Sequence, residues 1–190
     1  MSVIKTNLNA DTAPISGSII PVPALGTPMA GGFFGGVSRD GTWIIVSPKA
    51  EGESVLAWKT TMTASPGAMS FVDGLANTRD IADADHPAAA FCAALRIGGF
   101  DDWHLGSLDD MQTLMRNLMP LSGGNPAQTA VEAFQEGGAE AFEATWHWTS
   151  TQDRPGYAWL QDFGDGHQDF YGKDFRTRVR AVRKCLPFTP

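Results

Sequence analysis

The stretch DDWHLGSLDDMQTLMRNLMP, residues 101–120, constrains this chain more than any other, because it runs from a polar and aromatic bend into a helix whose start and buried face can both be read. Ser107 is placed to cap that helix, and Asp110, three residues on, supplies a short-chain version of the capping box. Leu108, Met111, Leu114, Met115 and Leu118 then recur at spacings of 3, 3, 1 and 3, the repeat of one helical face. Such a stripe must be buried against other elements, so the two methionines read as core and not as ligands. The preceding Asp101-Asp102-Trp103-His104 is either a reactive site at the mouth of the helix or the joint that sets where the helix docks. We read it as the joint, with Trp103 and Leu105 facing the core. His104 beside two aspartates is not enough for proton transfer, which needs a substrate held within hydrogen-bond reach. It reads as a capping, packing or surface residue, more tolerant of substitution than Trp103.

Around this segment the elements are short. With 21 Gly and 12 Pro among 190 residues, turns are frequent and long helices scarce, while 43% hydrophobic residues suffice for one sizeable core. Residues 1–30, with Pro14, Pro21, Pro23 and Pro28 and no helical period, read as an extended assembly arm whose Ile19-Ile20-Pro21-Val22-Pro23 can lie on a core or on another subunit. Residues 31–190 read as a single domain. Phe33–Val37 and Trp43–Ser47 flank a turn at Asp40-Gly41, which predicts an antiparallel hairpin, and residues 54–60 continue as a third strand. A first helix is expected in PAAAFCAALRIGG, capped by Asp85, with Pro87 in its first turn and Gly98-Gly99 at its end. Residues 122–144 read as a surface excursion with a short helix near 128–134. Beyond them come strands at Trp146–Trp148, at 157–163 and at 175–183. In the last, Phe175, Thr177, Val179 and Ala181 face inward, opposite Arg176, Arg178 and Arg180, with nearby aspartates offsetting the basic charge. Two short helices packed on twisted antiparallel strands with long surface loops make an α+β pattern.

Several chemistries are disfavoured. A net charge of −7 gives no electrostatic footprint for nucleic acid, and no stretch of about 18 uninterrupted apolar residues suggests membrane insertion. The start lacks the pattern of a secretory signal, so synthesis and assembly in the cytoplasm are expected. Cys92 and Cys185 are too few for a zinc motif; they read as two buried thiols or, more sharply, as a disulfide joining the helix to the C-terminal strand. Asp162, Asp165 and Asp169 raise a calcium question, but FGDGHQD lacks a full calcium loop and reads as a solvated hairpin tip. GGFFGG is not followed by a lysine-containing phosphate loop. No cofactor, metal or catalytic set is therefore expected. The aromatic residues suggest binding instead: Trp146 and Trp148 share one, inward face, whereas TSTQDRPG reads as an exposed rim where Gln152, Arg154, Tyr157 and Trp159 can orient and stack a ligand.

The order of these motifs resembles the Lcl C-terminal (DUF1566) domain family, which is related in fold to C-type lectins and formylglycine-generating enzymes. The resemblance is carried by GGFDDWHLGS at 98–107, WHWTST at 146–151, YAWLQDFGDG at 157–166 and FRTRVRAVR at 175–183, and spans roughly residues 85–185. His104 stands where arginine is usual in the family and Gly106 where proline is usual. The resemblance implies a C-type lectin-like fold, in which the first helix and last strand are neighbours, bringing Cys92 towards Cys185. It supplies no universal ligand. The calcium and sugar signatures of animal C-type lectins are absent, as are the paired cysteines of formylglycine generation, which leaves a sulfatase-modifying-like enzyme as the third reading. The region GGFFGGVSRDGTWIIVSPKAEGE with LAWKT resembles bacteriophage and prophage versions of the domain. The expectation is thus a structural, non-enzymatic phage tail or baseplate protein, a homo-oligomer among other virion subunits. It would recognise a host-surface glycan or protein through residues 122–144 and 149–156, with a purely architectural virion subunit as the alternative.

Overall fold

The computed structural model describes residues 20–188. Most of the expected arm, residues 1–19, lies outside them. Of the remainder, Ile20, Leu25 and Met29 pack against the core, and β1 (Pro28–Met29) pairs with β2 (Gly32–Val37). The boundary at residue 30 therefore falls inside a paired turn, and the folded unit begins earlier than expected. The hairpin of β2 with β3 (Trp43–Val46) forms as read, with Gly41 at φ +83°, a conformation that favours glycine at the turn. There follow α1 (Lys49–Gly52), β4 (Glu53–Ala57), α2 (Gly74–Ile81), α3 (Pro87–Ala94), β5 (His104–Leu105) and α4 (Leu108–Asn117). A 3-10 turn (Glu132–Phe134) precedes β6 (Trp146–Arg154), β7 (Tyr157–Asp162), β8 (Gln168–Gly172) and β9 (Arg176–Cys185).

The result is an α+β domain dominated by one mixed nine-stranded sheet of order β1-β2-β3-β9-β6-β7-β8. β9 is its hub: β3, β4 and β5 pair with it antiparallel, and His147 of β6 meets Arg178 in a parallel bridge. Val179 and Ala181 of β9 pack with Phe34, Trp43, Trp103, Leu105 and Trp148 in one core cluster. A second cluster joins the α4 stripe, Met111, Leu114, Met115 and Leu118, to Ile44, Val46, Val182 and Phe163. Trp103 and Leu105 are buried as expected, and the Ser107–Asp110 capping box is complete. No helix among the described residues is long and apolar enough to cross a membrane.

Several expectations are corrected. Among the described residues there are four α-helices, not two. The extra full-length one, α2, is capped by Asp73, which accepts from Ala76 N at 2.9 Å, and it approaches the joint so closely that a Cβ on Gly74 would stand 2.6 Å from Ser107 N. The cap of α3 is His86 and not Asp85, whose carboxylate instead accepts from Thr60 Oγ1. Residues 122–144 are the expected, mostly exposed excursion, with a 3-10 turn at Glu132–Phe134, but they are anchored where Phe134 and Phe142 are buried and Phe142 stacks on Phe163 with centroids 4.0 Å apart. The rim read at TSTQDRPG is largely interior, because β6 extends to Arg154 and residues 147–152 are buried. Phe175, which falls just before β9, is exposed, while Arg180 on the strand is buried. Arg180 is held not by the nearby aspartates but by Glu53, Glu140 and the carbonyl of Ser47. Cys92 and Cys185 are both free thiols, the first buried in the core and the second half-buried against the same cluster.

Candidate binding site

β7 and β8 are in antiparallel register with Trp159 opposite Phe170 and Tyr157 opposite Gly172. Strand alternation therefore gathers Tyr157, Trp159 and Phe170 on one face. Arg154, at the end of β6, lies over both neighbouring rings, 4.1 Å from the Tyr157 centroid and 4.3 Å from that of Phe170. Trp159 meets Phe170 edge-on at 5.6 Å, and Phe71 lies 6.3 Å from Trp159 on the other side. Arg154, Tyr157, Phe170, Trp159 and Phe71 thus form a continuous strip, with the cation held over aromatic faces where their quadrupole attracts it.

The strip leads into an open groove of about 460 Å³, lined by Arg39, Phe71, Val72, Leu108, Asp109, Gln112, Trp159 and Gln168. The capping box fixes the first turn of α4 and so presents Leu108, Asp109 and Gln112 to the groove. Arg39, from the β2–β3 turn, donates to Asp109 at 3.0 Å. Phe71 and Val72 are exposed apolar residues on the segment leading to α2. The indole N–H of Trp159 is buried and has no hydrogen-bond partner. That N–H is enclosed, so what Trp159 offers to the groove is its ring. Flat apolar faces edged by two amides and a charged pair suit stacking on a planar or sugar-like ring and hydrogen bonding to its substituents.

Of the four binding residues expected from sequence, Arg154, Tyr157 and Trp159 are brought together and Gln152 is not. Gln152 is buried, its Oε1 accepting from Ser65 N at 2.6 Å and from Lys173 Nζ at 2.5 Å. Arg39, Phe71, Asp109, Gln112 and Phe170 were not singled out. Only Phe71-Val72, an apolar pair just before the Asp73 cap, carries a local signal. Trp148 is fully buried and donates from Nε1 to Leu56 O at 3.1 Å. Half-buried Trp146 lines a separate pocket of about 280 Å³ with Leu160, Asp169, Tyr171 and Phe175.

Other candidate chemistry is held inside the fold. His104 and His147 are both buried, each ring donating from Nδ1 to a backbone carbonyl, Asp102 O at 3.0 Å and Thr145 O at 2.9 Å. Burial pushes His147 down to about 3 and lowers His104 as well, so both are neutral packing residues. Burial also pushes the Cys92 thiol up, which suppresses the thiolate. Asp162 accepts from the backbone N–H groups of Gly164 and Asp165, capping the hairpin tip. Among the described residues no group of three or more His, Cys, Asp or Glu is arranged to hold a metal ion.

Fold and groove together define a sheet-dominated α+β domain that carries an open aromatic groove. The family model of the Lcl C-terminal domain matches residues 50–183, and the chain belongs to that family. The match reaches further towards the N-terminus than the quoted motifs and takes in β4, α2 and Phe71. No curated protein matches the chain.

Proposed function

We propose that this domain is a non-enzymatic recognition module with a C-type lectin-like fold, serving as a tail or baseplate component of a bacteriophage or prophage virion and binding a host-surface glycan or protein. The observation that carries the binding part is the open groove in which the Trp159 ring stands beside exposed Phe71 and Val72, edged by Gln112, Gln168 and the Arg39–Asp109 pair. Apolar rings with polar groups at their rim suit stacking on a ligand ring and hydrogen bonding to its substituents. The virion setting rests on the resemblance of residues 31–60 to phage versions of the domain. The groove is preferred to residues 122–144 and 149–156 as the recognition surface because residues 149–152 are buried within β6, while 122–144, although mostly exposed, contributes no residue to the aromatic strip.

An architectural virion subunit is the second reading, and one observation favours it. Edge strand β8 turns an exposed Tyr171 towards exposed Phe175, with centroids 4.8 Å apart, away from the groove face. An apolar edge of this kind suits a neighbouring subunit. Binding of the purified protein to intact bacterial cells and to arrayed bacterial-surface glycans separates the two readings. Recognition predicts binding that is lost in Trp159→Ala with folding and oligomeric state unchanged. Absence of binding by a correctly assembled oligomer, with the groove covered by other subunits in the particle, rejects it.

A further inference from the structure

Away from the groove, the segment between β4 and α2 folds a serine into an unusual set of partners. Ser65 Oγ lies 2.8 Å from His86 Nε2, and His86 Nδ1 lies 2.7 Å from Asp83 Oδ1. Two ammonium groups also converge on Ser65 Oγ, Lys59 Nζ at 3.3 Å and Lys173 Nζ at 3.4 Å. A hydroxyl oxygen has two acceptor lone pairs, and here two lysines donate to them, so its own hydrogen points to His86 Nε2. Asp83 can only accept, which puts the ring proton on Nδ1 and leaves Nε2 free as a base. Nucleophile, base and orienting carboxylate are thus aligned in the order that activates a serine.

The carboxamide of Gln152 is hydrogen-bonded to the same residue, Ser65. Oε1 of Gln152 accepts from the backbone N–H of Ser65 at 2.6 Å and from Lys173 Nζ at 2.5 Å, two donors on one carboxamide oxygen, as an oxyanion hole requires. Ser65, His86, Gln152, Lys59 and Lys173 are all buried. An external substrate has no evident approach to Ser65, and water is kept from any acyl product. Burial and the adjacent Lys59 lower Lys173 to about 8, the response of two cations enclosed together beside a site where negative charge would be welcome.

We propose that Ser65 and Gln152 join in an autocatalytic ester cross-link that fastens the segment after β4 to β6. Ser65 Oγ attacks Cδ of Gln152 while its proton passes to His86 Nε2. The tetrahedral oxyanion forms on Oε1 between Ser65 N–H and Lys173. On collapse the Cδ–Nε2 bond breaks, the amide nitrogen takes the proton from His86, and one ammonia leaves. The hydroxyl and carboxamide become an ester plus ammonia, with no oxidant or other reactant needed. The product is a covalent bond between residues 87 apart in sequence, which would help a particle component exposed to proteases and shear.

Intact-mass analysis of the full chain after incubation at neutral pH tests this directly. The expected mass is one ammonia below that of the sequence, and digestion should give one linked peptide containing Ser65 and Gln152 that hydroxylamine cleaves. Ser65→Ala should keep the full mass, and His86→Gln should slow conversion by about a hundredfold or more. Full sequence mass in the folded wild-type protein after prolonged incubation overturns the proposal. So does ammonia loss mapped to another residue, or a hydroxylamine-resistant link from Gln152 to Lys173.

Discussion

Arg183 grips Asp102 with both prongs of its guanidinium, Nε to Oδ1 at 2.6 Å and Nη2 to Oδ2 at 2.9 Å, while the same group lies 3.8 Å from the centroid of the Phe100 ring. This fork ties the bend before α4 to the hub strand β9, and it answers what the Asp-Asp-Trp-His segment is for. Asp102 holds the joint from outside and Trp103 fills the core from within. Replacing Asp102 by Ala leaves a largely buried cation without its partner and should cost about 2–3 kcal/mol in chemical unfolding. Arg183→Lys should recover little, because lysine offers neither the planar fork nor the stacking surface. Burial alone would raise the Asp102 carboxyl, but the hydrogen bonds and charge of Arg183 outweigh it and hold the group below its usual range. The stability it contributes is therefore present above the unfolded value of 3.8 and lost as pH falls through the lower folded value. Asp102→Asn should show a weaker loss of stability in that acid window than the wild type.

The two halves of the capping box should differ in cost. Ser107 makes the local cap, and Ser107→Ala should destabilise by about 1–2 kcal/mol. Asp110 also accepts from Ser38 Oγ at 3.3 Å and pairs with Lys184 at 2.9 Å, with its own side chain fully enclosed. Asp110→Ala removes the box, the Ser38 bond and the shorter of the two ion pairs of Lys184, which keeps Val72 O and the more distant Asp40, and should cost about 2–3 kcal/mol. Equal losses for the two variants in urea unfolding would mean that the β3–β9 side of the network contributes nothing.

How much of this was legible depended on where each residue finds its partners. The α4 stripe and cap could be read because cap, box and apolar period all lie within residues 107–118. Trp103 and Leu105 followed from their place just before it. α2 escaped because its buried face is polar: Asn77 donates to Ser70 O and Ser150 Oγ, and Leu105 N donates to Thr78 Oγ1, so no apolar period marks it. Arg180 reads as a solvent-facing basic residue until Glu53 and Glu140 arrive from distant segments. Phe134 and Phe142 likewise look like loop residues, since their burial comes from packing on distant rings, Phe33 for the first and Phe163 for the second, and not from a local repeat. Gln152 was placed on a rim for the same reason. Its partners, Ser65 and Lys173, lie 87 residues before it and 21 after. The groove needed Arg39, Phe71, Asp109 and Trp159 from four separate segments, of which the sequence offered only the last.

Trp103 is 1% exposed and donates from Nε1 to Ile97 O. Trp103→Ala should destabilise by roughly 3–5 kcal/mol. His104, next to it, is equally enclosed and so will not be the tolerant position its polarity suggests. A charged or larger side chain there should destabilise the fold as well, and thermal unfolding of His104→Lys beside Trp103→Ala compares the two.

The buried histidines set a pH dependence of defined sign. An unfolded histidine takes up a proton below about 6.5, whereas His147 in the fold resists until about 3. Between these values the unfolded state binds more protons, so stability falls as pH falls, by about 1.4 kcal/mol per pH unit for each such group. His104 acts in the same direction. His147 sits between Phe163, at 4.7 Å, and Phe142, at 5.4 Å, so His147→Phe keeps an aromatic ring in an aromatic site. Its stability curve between pH 4.5 and 6 should be shallower than the wild type by about one proton's slope. An unchanged slope would mean that the ring is protonated in the fold.

The groove prediction turns on the Trp159 ring. Trp159→Phe keeps an aromatic face against Phe170 and Phe71, and the N–H it removes is enclosed and makes no bond, so the unliganded fold should lose only packing volume. Binding to cells or to the arrayed glycan that binds should weaken by about fivefold or less, because a stacking face remains. Trp159→Ala should lose far more, since stacking goes with it. Arg154→Ala should weaken binding less than Trp159→Ala, its guanidinium being already engaged over Tyr157 and Phe170 at the far end of the strip. Should Trp159→Phe lose binding as completely as Trp159→Ala while both stay folded, stacking on an aromatic face is not what holds the ligand.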